Sequence, residues 1–144
     1  MPDSNSENIN DLMSRAYTMA QGFEHEYVTL EHILLSCLDE DTVLELLKRL
    51  EIDADQLRDN LAQHLADSTD IKAVNGQKPR KTVTMERVFH RAYMQALFNG
   101  RQVMEGRDVL FSMLSEKNSW THYFLTSNGI TRDKLLKAAT AQDE

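Results

Sequence analysis

The residues best suited to chemistry crowd into one short stretch. His25, Glu26, Glu31 and His32 set two imidazoles and two carboxylates within eight positions. Such a mixture can bind a metal or pass a proton. Their spacing fits no standard zinc signature, so the five histidines (His25, His32, His64, His90 and His122) read as exposed side chains and no metal ligand is assigned. Cys37 follows in the apolar run Ile33-Leu34-Leu35-Ser36-Cys37-Leu38. A reactive thiol needs an accessible, electropositive setting. A small buried hydrophobe fits this run better. The chain has no Gly-x4-Gly-Lys-Ser/Thr loop, no Gly-x-Ser-x-Gly elbow and no His-Glu-x-x-His pair. No catalytic residue and no cofactor is therefore expected.

Binding is the chemistry that remains. Tyr27, Phe98, Trp120, Tyr123 and Phe124 are the aromatic side chains to consider. Core packing accounts for most of them. Trp120 is the candidate peptide contact, because it falls at a predicted helix start and outside the predicted core positions.

Helices must position these residues. Gly and Pro are few, and Leu, Met, Ala, Glu, Gln, Lys and Arg dominate. Residues 1–6 read as a disordered lead-in. A first helix follows over about Glu7–Gln21, with Ile9, Leu12, Ala16, Met19 and Ala20 at helical spacing and Gly22 as its stop. Thr29 starts a second helix, a third covers Thr42–Leu50, and Asp53 with Gln56 opens a fourth. The polar segment 67–82, holding Asn75-Gly76 and Pro79, reads as a linker. Beyond it lie helices over Met85–Phe98, Gly106–Ser115 and Ser119–Ser127, and one capped by Thr131. Leu97 and Leu136 are counted among their core residues.

The two halves repeat each other. Arg15-Ala16-Tyr17 matches Arg91-Ala92-Tyr93 at an offset of 76 positions, which also pairs Ile33 with Val109 and Leu34 with Leu110. A two-residue insertion raises the offset to 78, pairing Leu47 with Leu125, Ile52 with Ile130, Asp55 with Asp133 and Leu57 with Leu135. The expected fold is all-α: two tandem four-helix repeats, 7–66 and 83–141, packed as one compact pseudo-twofold bundle.

Composition narrows the function. A net charge of -7 argues against nucleic acid as a partner, and the basic run Lys78, Arg80, Lys81 reads as a solvated loop. The polar, acidic N-terminus is no signal peptide, and no apolar stretch suits a bilayer. With a lone cysteine, this points to a cytoplasmic protein.

The run Glu26-Tyr27-Val28-Thr29-Leu30-Glu31-His32-Ile33-Leu34-Leu35 resembles the Thr-x-Glu-His-[Leu/Ile]-Leu-Leu signature of Clp N-terminal domains. Thr82-Val83-Thr84-Met85-Glu86-Arg87-Val88-Phe89-His90-Arg91-Ala92 is similar to the start of that family's second repeat. The resemblance covers about residues 7–140, and among subfamilies the pattern is nearest ClpA. It implies a non-enzymatic, protein-binding domain ahead of the ATPase modules of a hexameric AAA+ unfoldase. It also implies docking of a ClpS-type adaptor and protein substrates, delivery to the Clp peptidase through the parent unfoldase, and a monomeric isolated domain. The family's adaptor-facing positions fall on Glu26, Glu31, Thr82 and Arg87. Two features depart from ClpA: the basic linker, and the absence of an ATPase module, as in an excised domain or a free-standing homologue. A ClpB- or ClpC-like domain that meets unfolded polypeptide or another adaptor is the alternative. Exposed apolar residues between the two repeats would favour it.

Overall fold

The computed structural model describes residues 2–68 and 78–143. In chain order these form α1 (Pro2–Gly22), β1 (Tyr27–Val28), α2 (Leu30–Cys37), α3 (Asp41–Arg49), α4 (Ala54–Asp67), β2 (Arg80–Lys81), α5 (Val83–Phe98), α6 (Gly106–Met113), α7 (Trp120–Ser127) and α8 (Arg132–Asp143). The fold is all-α apart from one two-residue parallel ladder.

Local chemistry accounts for the boundaries. Asp53 accepts the Gln56 N–H at 3.1 Å and opens α4. Thr82, Ser119 and Thr131 accept the N–H three residues on in the same way. α1 departs from expectation, because its helix takes in residues 2–6 that read as a disordered lead-in. Pro2 suits a first helical position, where its fixed φ matches the helix and its missing N–H would have no acceptor. The linker reading needs correction at its end, since Arg80 and Lys81 form β2 and Thr82 caps α5. The rest of that reading, 69–77, lies outside the described residues.

Equivalent hydrogen bonds recur at the offsets read from sequence. Ser36 Oγ donates to Leu12 O at 2.7 Å, and Ser112 Oγ to Val88 O at 2.8 Å. Arg15 donates to Ser36 O and pairs with Glu40 at 3.4 Å; Arg91 donates to Ser112 O and pairs with Glu116 at 2.9 Å. Each guanidinium pins the first helix of a repeat to the end of the second.

α1 and α3 end in Schellman turns, as do their counterparts α5 and α7. Ile52 N–H reaches back to Leu47 O, and Ile130 N–H to Leu125 O, both at 2.9 Å. Such turns place one residue in the left-handed region. The second repeat has Gly100 (φ 78°) and Gly129 (φ 80°) there, whereas the first has Glu24 (φ 59°) and Glu51 (φ 58°). Gly22 is thus the last helical residue of α1 rather than its stop. A side chain at positive φ costs about 1 kcal/mol relative to glycine. Glu51→Gly is therefore expected to raise stability by about 0.5–1 kcal/mol, and Gly129→Glu to lower it similarly, as read by urea unfolding.

The core is continuous across the halves. Leu12, Leu34, Leu46 and Leu61 join Met85, Val88, Leu110 and Leu125 in one cluster. α2 packs on α6 and α7, and α3 on α6 and α8. Gly106 permits the closest approach: a Cβ there would stand 3.0 Å from Glu40 Cγ.

Candidate functional site

The β1–β2 ladder organises the predicted docking residues. Tyr27 pairs with Arg80 and Val28 with Lys81, and Arg80 N–H donates to Glu26 O at 2.9 Å. This parallel register sets Thr29 and Thr82, the N-caps of α2 and α5, side by side. Both repeats therefore launch a helix from one edge, which also carries Glu26. Nothing in the sequence pattern announced the ladder, because two-residue strands 53 positions apart leave no alternation to read.

The four predicted residues occupy different settings. Glu26 is half-buried and its backbone belongs to the ladder. The Glu31 side chain keeps 14% exposure and approaches His64 Nε2 at 3.8 Å. Thr82 is half-buried, its hydroxyl oxygen engaged in the α5 cap. Arg87 is exposed and tethered to Glu116, Nε to Oε2 at 3.3 Å. Hydrogen bonds from Arg87, and then from Arg91, hold the Glu116 carboxyl below the ordinary range. The register puts Glu26 before one end of the ladder and Thr82 after the other; Glu31 turns toward α4, and Arg87 toward the turn after α6.

Trp120 opens α7 and is 55% exposed. Its ring centroid lies 5.0 Å from His64 and 5.9 Å from exposed Tyr123, while Phe124 lies 5.2 Å from His64. Through His64 this aromatic group adjoins Glu31, a junction of the two repeats not anticipated from sequence.

Two sets of expectations are overturned. His25 and His32 are buried, not exposed. Thr29 N–H donates to His32 Nδ1 at 2.9 Å, so the imidazole fills the acceptor position of a capping box. His25 Nδ1 lies 2.9 Å from His32 Nε2. Burial, helped by the neighbouring His25, pushes the His32 pKa down to about 3. Leu97 and Leu136 were assigned to the core and are exposed. Ala96 and Leu135, their chain neighbours, are the buried ones, because adjacent positions on a helix point about 100° apart. With Tyr93, Met94 and Phe98, Leu97 gives α5 an exposed apolar stripe. Phe98 and Leu136 both line a groove of about 340 Å³ between α5, α6 and α8.

Cys37 is fully buried, and burial raises its thiol pKa, so it lacks the character of a nucleophile. Among the described residues no helix is long and apolar enough to cross a membrane. What the surface offers is an edge with carboxylates, an aromatic group and a groove of mixed polar and apolar lining.

Known proteins resemble this chain in sequence or in fold. A ClpA homolog protein of Fuscovulum blasticum is 30% identical over 129 residues, which span 88% of this chain and 16% of that protein. The Hsp104 N-terminal domain of Candida albicans matches with a TM-score of 0.77 at 15% identity, covering 92% of this chain and 86% of that one. The N-terminal domain of the ClpV1 ATPase of E. coli matches with a TM-score of 0.69 at 22% identity, covering 97% and 93%. At those identities the two structures speak for the fold alone. The model of the Clp repeat (R) N-terminal domain matches residues 5–142, and with the duplicated caps, turns and arginine ties it makes this chain a member of the Clp N-terminal domain family.

Proposed function

We propose that this chain is the receiving domain at the front of a ClpA-like AAA+ unfoldase. On this reading it docks a ClpS-type adaptor, and protein substrates, for ATP-dependent unfolding and proteolysis by a cytoplasmic Clp peptidase complex. Clp N-domains bind substrates or adaptors and are not themselves catalytic. Division into repeats over 7–66 and 83–141, within one compact unit, belongs to the same proposal.

The supporting observation is the shared edge formed by the β1–β2 ladder. Glu26, Thr82 and the starts of α2 and α5 lie along it, and Glu31 sits in the first turn of α2. Carboxylates and a tethered guanidinium spread around the starts of α2 and α5 suit an adaptor offering both a basic and an acidic group. Calorimetric titration with a ClpS-type adaptor tests this. Glu31→Lys and Arg87→Glu are each expected to weaken binding tenfold or more, equivalent to about 1.4 kcal/mol. Unchanged affinity in both variants would remove the site assignment, and no binding by the wild type would remove the ClpA assignment.

A second reading is supported by the exposed apolar stripe on α5 and the groove beside it. Exposed Met94, Leu97, Phe98 and Leu136 form the kind of contiguous apolar surface that marks a protein-binding site. Direct capture of unfolded polypeptide, as in a ClpB- or ClpC-like domain, would use it.

A further inference from the structure

The exposed aromatic side chains of α7 are not a demand of the fold. Trp120 and Tyr123 are 55% and 58% exposed, while Thr121 and Leu125 of the same helix are buried. At the repeat offset of 78 positions, Trp120 and Tyr123 correspond to Thr42 and Glu45 on α3. Both helices keep a buried leucine, Leu47 in one copy and Leu125 in the other. Only the second carries aromatic rings on its outer face.

Trp120, Tyr123 and Phe124 stand three and four positions apart from the first, so they share one side of α7. The Tyr123 ring centroid lies 5.9 Å from Trp120 and 5.8 Å from Phe124. A carboxylate completes the group. His64 of α4, against both Trp120 and Phe124, also abuts Glu31 at 3.8 Å. That separation is too long for a hydrogen bond, and the Glu31 side chain keeps part of its surface in solvent. Glu31 lies in the first turn of α2 and Trp120 opens α7, so the patch crosses the boundary between the repeats. Aromatic faces beside a carboxylate suit one kind of guest. The rings attract a cation, the carboxylate pairs with it, and the hydrocarbon stem of a long basic side chain packs on the remaining ring area.

We propose that the adaptor-facing surface extends across the repeat boundary, where one arginine or lysine of the adaptor lies over Trp120 and Tyr123 with its charge toward Glu31. The inference rests on the adaptor reading above. It adds two docking residues and the side chain they receive. Trp120 is the anchor, in keeping with the weight tryptophan carries at protein interfaces.

Calorimetric titration of the full chain with a ClpS-type adaptor tests it. Trp120→Ala and Glu31→Gln are each expected to weaken binding about tenfold, and Tyr123→Ala about threefold. Because one basic side chain serves both, the double variant Trp120→Ala/Glu31→Gln should cost about thirtyfold, not the roughly hundredfold of independent contacts. His122→Ala should leave affinity unchanged, since His122 borders a groove with Lys117 and Thr126 on another side of α7. Circular dichroism and urea midpoints, unchanged in the variants, separate lost docking from lost folding. In the wild type, an adaptor without tryptophan should quench or shift the emission of Trp120, the sole tryptophan. An unchanged spectrum at saturation overturns the inference whatever the variants do. If Trp120→Ala or Glu31→Gln binds the adaptor as the wild type does, or if their costs multiply in full, the inference fails while the adaptor reading stands. If the adaptor does not bind the wild type, both fall.

Discussion

Truncating Leu34 to alanine is expected to destabilise the whole chain by about 2–5 kcal/mol, the usual range for deleting a buried leucine side chain. Leu34 has no solvent exposure and sits midway along α2. That helix packs on α1 and α4 of its own repeat and on α6 and α7 of the other. A cavity at Leu34 therefore removes contacts on both sides of the pseudo-twofold, and neither repeat can close over it independently. At about 3–5 °C per kcal/mol for a chain of this size, the midpoint should fall by roughly 6–25 °C. Two probes reveal whether the halves melt together. Far-UV ellipticity reports every helix, while fluorescence reports Trp120, the sole tryptophan, on α7. The two curves should coincide in wild type and variant alike. A fluorescence transition that stays in place while ellipticity falls would mean that the repeats fold separately. Gly106 argues against that outcome, since α6 approaches α3 too closely there for even a methyl group to fit without displacement.

What could be read in the sequence was local or duplicated. Asp53, Thr29 and Thr131 announced helix starts because a cap is a contact between residues three apart. Duplication supplied the long-range information: the offset that pairs Arg15 with Arg91 also relates Ser36 to Ser112, whose carbonyls the two arginines tie in the structure. The docking edge was legible only through family likeness, since its geometry depends on a ladder between Tyr27-Val28 and Arg80-Lys81 that no periodicity encodes. The groove between α5, α6 and α8 was hidden for another reason. Its lining comes from three helices far apart in sequence, and the helical pattern of α8 could not say which of Leu135 and Leu136 faces inward. His32 was misread because a capping box ordinarily has Glu or Gln at that position, and an imidazole in the role looks like a surface residue until the fold covers it.

That buried imidazole leads to the second large effect, a loss of stability in mild acid. Thr29 N–H donates to His32 Nδ1 at 2.9 Å, and Thr29 Oγ1 stands 2.8 Å from the same nitrogen. Nδ1 is therefore an acceptor, and the ring proton resides on Nε2, facing His25 Nδ1. Protonating Nδ1 would set a hydrogen against the Thr29 N–H and place a charge where burial disfavours it. The folded pKa of about 3 lies below the unfolded value of 6.5, so the unfolded chain binds the extra proton first. The contribution is complete above pH 6.5, shrinks as pH falls, and is gone by about pH 3. Each unit costs about 1.4 kcal/mol, so going from pH 7 to 4.5 should cost about 3 kcal/mol. Glu116, whose carboxyl is held low chiefly by its hydrogen bond from Arg87, adds a loss of the same sign only as pH falls through the ordinary carboxylate range and below. Glu40, whose carboxyl is raised chiefly by burial, acts in the opposite sense. Both persist in His32→Gln, which keeps an acceptor for Thr29 N–H but cannot titrate. Urea unfolding of the two proteins between pH 7 and 4.5 should show a steep decline in the wild type and a shallow one in the variant. Parallel declines would mean that the protonation of His32 does not govern acid stability. Repeat two already shows the alternative solution: at the equivalent positions Arg101 grips Asp108, and Asp108 accepts the Glu105 N–H at 2.8 Å.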